Sequence, residues 1–262
     1  MYSFLFRKTV FDGWDHILGL FLANIGYLVL LALGVLWWHL NANGTLGLLP
    51  ALLLIVATIL VFSFYSMGIA GYTANINDGA RKGQALSGVT DVVRTHVPHV
   101  LMYAFIMVVI AVNFIFAIPF YMESGGFAGP MMAFVGMFLS FFLIANFKYY
   151  LPLCLIRQDE GVVEIVKYSF AYALDNKGIT LMLLLRSAVD LLISVPFAGI
   201  IPSIGGILLS DTCATSLLNR RYLLAEEREV EKSSVPWDDV LDTMNRDRYE
   251  KRRFVSLLFP GR

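Results

Sequence analysis

Apolar positions fill six long blocks of this chain, near Ile17 to Trp38, Leu48 to Tyr72, Val100 to Tyr121, Pro130 to Leu151, Gly178 to Val195 and Ser203 to Leu218. Each approaches the ~20 residues that an α-helix needs to cross the hydrocarbon of a bilayer. The last two blocks are the shortest and are joined by a turn from Pro196 to Pro202. This pattern predicts an all-α integral membrane protein, a six-span helical bundle.

A half-polar segment leads into each pair of blocks: Ser3 to His16, Gly88 to His99 and Gly161 to Lys177. In the third, Val162, Val163, Ile165, Val166, Phe170 and Ala173 recur at helical spacing, with Glu160, Glu164, Lys167 and Asp175 on other faces. That is the pattern of a helix lying in the membrane interface. The expected architecture is three elbow-plus-hairpin units, with tight outer turns at Asn43-Gly44 and Gly125-Gly126.

Charge then orients the spans. The stretches His39 to Gly47, Met122 to Gly129 and Pro196 to Pro202 hold no Lys or Arg. The alternate set holds Arg7 and Lys8; Arg81, Lys82 and Arg94; Lys148, Arg157, Lys167 and Lys177; and a basic C-terminal tail. The positive-inside rule therefore puts both termini in the cytoplasm. Aromatic residues agree, with Trp37, Trp38, Phe120 and Tyr121 at the outer ends and Trp14, Tyr149, Tyr150 and Tyr222 at the inner ones. The first block lacks an A-x-A exit site and is long enough to span, so it is expected to remain as an anchor.

Composition supports the same class: 58% of the 262 residues are hydrophobic and only 15% charged, as befits a chain whose solvent is lipid. A basic domain interleaved with aromatic residues, the footprint of nucleic-acid binding, is absent. The expected domains are a membrane domain over residues 1–222 and a charged cytoplasmic tail with one short helix over 223–262.

Three ionisable residues fall inside expected spans: Arg186, Asp190 and Asp211. Charges at that depth are costly and face the bundle interior with partners. Arg186 and Asp190 are four apart on one helix face, and Asp211 is expected at similar depth in the last span. Two readings remain open, a substrate or proton site and a structural pair that locks helices together. His96 and His99 lack a third ligand at zinc spacing and read as interfacial. Asn77-Asp78-Gly79 reads as a solvated turn, and Gly68, Gly71, Gly136 and Ser140 as close-packing positions inside the bundle. Cys154 and Cys213 are expected as reduced core residues. No nucleophile motif or phosphate loop occurs, so no enzyme activity, cofactor or metal is expected.

Ser234, ahead of Val235-Pro236-Trp237-Asp238-Asp239, reads as the N-cap of a tail helix. Beyond it Arg246, Arg248, Lys251, Arg252 and Arg253 precede an apolar end from Phe254 to Phe259. A basic stretch followed by apolar residues suits docking on a bilayer with anionic lipid; a membrane or cytoplasmic protein partner is the alternative.

The order of parts resembles the YesL-like proteins, a bacterial family of unknown function whose members often accompany carbohydrate-uptake genes. The likeness rests on Val10-Phe-Asp-Gly-Trp-Asp-His-Ile-Leu, on Thr90-Asp-Val-Val-Arg-Thr-His-Val-Pro-His and on Tyr168-Ser-Phe-Ala-Tyr-Ala-Leu-Asp-Asn-Lys. It extends roughly from Phe4 to Tyr222, and the charged tail departs from it. The resemblance implies a non-catalytic, transport-associated or accessory protein of the bacterial inner membrane. The alternative is a small-solute transporter built on Arg186, Asp190 and Asp211.

Overall fold

The computed structural model describes residues 1–42, 47–79, 88–124, 126–197, 199, 203–242, 249 and 252. Asn43, Gly44, Arg81, Lys82, Gly125 and Pro202 lie outside them, as do the side chains of Trp37 and Trp38. Among the described residues every regular element is a helix. In order these are α1 (Tyr2–Asp15), α2 (Ile17–Ala42), α3 (Leu48–Asn77), α4 (Val89–Thr95) and α5 (Val97–Val112), then α6 (Ile118–Glu123), α7 (Ala128–Phe147) and α8 (Tyr150–Ile156), then α9 (Val162–Asp175), α10 (Lys177–Ser194), α11 (Ser203–Glu227) and α12 (Trp237–Asp242).

Five helical stretches are long and apolar enough to cross a membrane: Ile17–Leu36, Leu52–Asn77, Val97–Glu123, Ala128–Ile156 and Lys177–Phe197. Their surfaces carry large apolar side chains such as Leu18, Phe105, Phe134 and Leu192 turned outward, which suits contact with lipid. The sixth expected span, α11, is long but falls below that apolarity. Ser203, Ser210, Asp211, Thr212, Thr215 and Asn219 dilute its hydropathy, and all six are buried.

The third stretch is interrupted. Between α5 and α6 the chain takes one π-helical turn, Asn113–Ala117, just ahead of Pro119. Proline offers no N–H and crowds the carbonyl four residues back; a wider turn relieves that conflict without ending the helix. Pro119 thus lies within a continuing helical stretch.

Three helix junctions share one geometry. A single non-helical residue separates α1 from α2, α4 from α5 and α9 from α10, namely His16 (φ −116°, ψ 23°), His96 (φ −107°, ψ 22°) and Asn176 (φ −121°, ψ 50°). In each case its N–H bonds the carbonyl four residues back, and its own carbonyl accepts from the N–H four residues on. The backbone therefore bends without orphaning these groups, which burial would otherwise penalise.

The chain divides into two compact units. In the unit formed by Met1–Ile25, Ile69–Ser87 and Leu185–Arg262, α1 packs on α11. Thr73 Oγ1 lies 2.9 Å from Thr212 Oγ1, and Asn24 Oδ1 accepts from the Gly205 N–H at 2.8 Å. After α11 the chain folds back: Arg221 donates to the carbonyls of Ser233 and Val235 and stacks on Trp237 at 4.2 Å. The tail helix begins at Trp237, not after Ser234. Pro236 forces Val235 into an extended conformation (ψ 118°), so the helix cannot start earlier. Ser234 belongs to a 3₁₀ turn, where its hydroxyl donates to the Glu231 carbonyl.

In the unit formed by Gly26–Gly68 and Gly88–Leu184, the short α8 is buried almost throughout. Ser169 donates to the Asn146 carbonyl, and the Tyr149 and Thr180 hydroxyls are 2.9 Å apart. Gly68 lets Val89 approach, and Gly136 lets Asn113 approach. These small residues therefore serve internal packing.

Candidate functional site

The principal polar constellation lies on α1 and the tail. Three- and four-residue spacing along α1 puts Phe4, Lys8, Phe11, Asp12 and Asp15 on one stripe. Lys8 and Asp12, four residues apart on that stripe, are only 3% and 5% exposed. Lys8 Nζ reaches Asp12 Oδ2 at 2.8 Å, Tyr249 Oη at 3.2 Å and the Asn77 carbonyl at 3.3 Å. Three acceptors thus meet the three N–H donors of the ammonium. The Tyr249 hydroxyl in turn donates to Asp12 Oδ1 at 3.0 Å, closing a triangle. Stripping water from two charges is expensive, and their attraction offsets it only with such complete pairing. Burial works against the Lys8 charge, yet the Cys213 sulfur and the Asp12 carboxylate hold its pKa well above the ordinary lysine value.

One turn further along α1, Asp15 takes both arms of the Arg252 guanidinium at 2.7 Å, the planar two-point pairing at which arginine excels. The same guanidinium lies over the Phe11 ring, 4.5 Å from its centre. Around these contacts Val235, Val240, Leu241 and Tyr249 of the tail pack with Phe4, Phe11, Leu217 and Leu224. The described residues of the tail therefore pack on helices of their own chain. Of the residues expected to bind lipid, Arg252 is the described one and is engaged by Asp15. Arg248, Lys251, Arg253, Phe254 and Phe259 lie outside the described residues.

A second charged group lies in the same unit. Arg186 Nε is 3.6 Å from Asp190 Oδ2 on α10, as the four-residue spacing predicts, and the guanidinium sits 5.6 Å from the Phe6 ring. Asp211 on α11 is 3% exposed, and its carbonyl accepts from the Thr215 hydroxyl. Two residues on, the wholly buried Cys213 stands among the charges of Lys8, Asp12 and Arg186. Cys154 and Cys213 are both free and buried. Among the described residues no group of three or more His, Cys, Asp or Glu side chains is placed to hold a metal.

In the other unit, His96 and His99 are buried with ring centres 5.9 Å apart, and His99 Nδ1 lies 3.4 Å from Tyr150 Oη. At the π turn, Asn113 Nδ2 donates to the Gly136 carbonyl and to Ser140 Oγ, both at 2.6 Å. A shallow apolar groove runs beside it between Val109, Val112, Leu139 and Leu143.

Arg186 and Asp190 stand out in the sequence as charges inside an apolar block, whereas Lys8 reads there only as an orienting charge. The four-residue spacing of Lys8 and Asp12 was the available signal; the burial that gives it meaning comes from Tyr249, 237 residues beyond Asp12. No protein-family description, curated protein or solved structure matches the chain.

Proposed function

We propose that this chain is a six-span membrane protein with both termini in the cytoplasm, acting as a non-catalytic, transport-associated or accessory component of a bacterial inner membrane. The observation that carries the reading is that the charges of Lys8 and Arg186 are both matched within the chain. Lys8 is saturated by Asp12, Tyr249 and Asn77, and Arg186 pairs with Asp190 on its own helix. Groups spent in this way offer little to a passing solute, and the Lys8 cluster also ties α1 to the Asn77 carbonyl and to Tyr249.

The sixth span of this reading is α11. Its 25 residues extend about 37 Å at 1.5 Å per residue, enough for a bilayer core; Ser203, Ser210, Asp211, Thr212, Thr215 and Asn219 are turned into protein, and the exposed Glu226 and Glu227 lie at its C-terminal end. The three one-residue junctions support three elbow-plus-hairpin units, and the Lys and Arg asymmetry supports the orientation. The link to carbohydrate uptake rests on the YesL-like layout.

A transporter reading has one observation of its own, the buried Asp211 inside α11, since intramembrane carboxylates mark ion and substrate paths. Purification in mild detergent decides between the two. The accessory reading expects a membrane transport component to co-migrate in fixed proportion. Solute uptake by the purified chain alone in proteoliposomes, lost in Asp211→Asn, would replace it with the transporter.

A further inference from the structure

We propose that the groove beside the π turn is an intramembrane binding site for a small apolar alcohol, whose hydroxyl is held by Asn113 and Ser140. The site lies wholly between the stretches Val97–Glu123 and Ala128–Ile156. It therefore rests on those two stretches lying in lipid and not on the accessory role.

The polar end of the groove comes from a shortage of acceptors. Gly136, whose missing side chain leaves room for the Asn113 amide, offers its carbonyl to Asn113 Nδ2 at 2.6 Å. As a helical carbonyl of α7 it also receives the N–H four residues on, that of Ser140. Both of its lone pairs are thus taken. A serine inside a helix commonly turns its hydroxyl to the carbonyl four residues back, and here that acceptor is full. Ser140 Oγ instead accepts the second Asn113 N–H at 2.6 Å. The amide has then used both N–H groups and keeps its Oδ1. Among the described residues Asn113 Oδ1 accepts no hydrogen bond and the Ser140 O–H donates none.

These two groups sit deep in the span. Asn113 is about 24 Å from Val97 and about 15 Å from Glu123 at 1.5 Å per residue, inside the ~30 Å of a bilayer's hydrocarbon. Ser140 is 1% exposed. An unmet donor and an unmet acceptor at that depth each cost free energy. Both line a groove of about 340 Å³ whose other walls are apolar, Val108, Val109, Val112, Leu139 and Leu143 among them. An apolar hollow with a few convergent polar groups is the usual form of a ligand site, and π turns recur at such places.

The pair also selects the chemistry of the occupant. One open acceptor beside one open donor matches a group that donates and accepts through a single atom, as a hydroxyl does. The acyl chain of a phospholipid brings no polar group to this depth, and its charged headgroup stays at the interface. At about 30 Å³ for each water-sized group the groove holds roughly eleven, the size of an alcohol of about ten carbons.

The test uses the full chain in lipid nanodiscs and two photoreactive probes of about that size, a primary alcohol and the alkane lacking its hydroxyl. Each carries a diazirine in its chain, and adducts are mapped by mass spectrometry. The alcohol should label Val109, Val112 and Leu143 saturably and be displaced by excess unlabelled decanol. The alkane should label them no more than the outward Phe105 and Phe134. Ser140→Ala removes the donor and should weaken alcohol labelling of the groove about fivefold, the worth of one hydrogen bond. Ala117→Phe fills the groove from its wall and should abolish that labelling while Phe105 and Phe134 react as before. Equal, unsaturable labelling of the groove by both probes would show an ordinary lipid contact and overturn the proposal, as would alcohol labelling that both substitutions leave unchanged. If neither probe labels Phe105 or Phe134, the placement of these stretches in lipid falls, and the site with it.

Discussion

His96 Nδ1 lies 2.8 Å from the carbonyl oxygen of Val92, four residues back, so the imidazole donates there and doubles the bond already made by its own N–H. His16 repeats the arrangement on Asp12 at 3.1 Å, and Asn176 on Tyr172 at 3.1 Å through its amide. Histidine and asparagine have in common a short side chain that carries a nitrogen donor at the right reach. At a one-residue break that donor holds the preceding turn closed while the backbone bends away.

The role is thus chemical and interchangeable. Asn176→His and His16→Asn should leave thermal stability in detergent nearly unchanged, whereas alanine at either position should cost about 1 kcal/mol, the worth of a hydrogen bond. Equal loss from the exchange and from alanine would show that ring shape matters more than the donor.

Lys8 and Asp12 should show strong coupling. Lys8→Leu leaves the Asp12 carboxylate buried without its main partner and should destabilise the chain by about 3–5 kcal/mol. Lys8→Leu with Asp12→Leu removes both charges and should recover much of that loss. Chemical denaturation of the two variants checks this; equal stability would disprove the coupling.

The same cluster sets an alkaline limit. The folded Lys8 pKa is raised from 10.5, so its stabilisation is complete below that value and is lost as pH rises further. Burial raises the Tyr249 pKa from 10.0 in the folded state; the unfolded chain then releases that proton first, and stability again falls with rising pH. Melting temperature should be level from pH 7 to pH 9, as far as this cluster contributes, and fall above about pH 10. A Lys8→Leu, Tyr249→Phe variant should show a shallower fall.

Two glycines of α2 seat tyrosines of α3 at matching seven-residue intervals. A Cβ on Gly19 would collide with the Tyr72 hydroxyl, and one on Gly26 with that of Tyr65. Gly19→Ala should therefore destabilise by about 1–3 kcal/mol through overpacking, and Tyr72→Phe should relieve part of it. Gly34→Ala, with nothing within 4 Å of the new methyl, is the control and should be neutral or stabilising. Helix thermal denaturation of the three variants checks the order.

Much of this architecture was legible in local pattern. Five apolar blocks gave helices at nearly the expected bounds, because lipid demands length and apolarity from each span separately. The spacing of Arg186 and Asp190 likewise disclosed their pairing. Where the outcome hung on distant residues, the pattern was mute. Nothing near Lys8 announces that Tyr249 will bury it, and the π turn ahead of Pro119 leaves no hydrophobic signature. Ser234 had the chemistry of a cap but was overruled by Pro236.

The buried polar face of α11 has a consequence for biogenesis. A segment with Asp211 within its first half and five other buried polar side chains along it partitions poorly into lipid by itself, since a carboxylate within a span opposes insertion, by up to about 2.5–3.5 kcal/mol at the helix centre. If it crosses the bilayer, it must enter as the partner of helices already there, late in synthesis and on arrival of its neighbours. Any lesion that delays those earlier helices would then surface as a failure of the last one to insert, far along the sequence from the lesion itself.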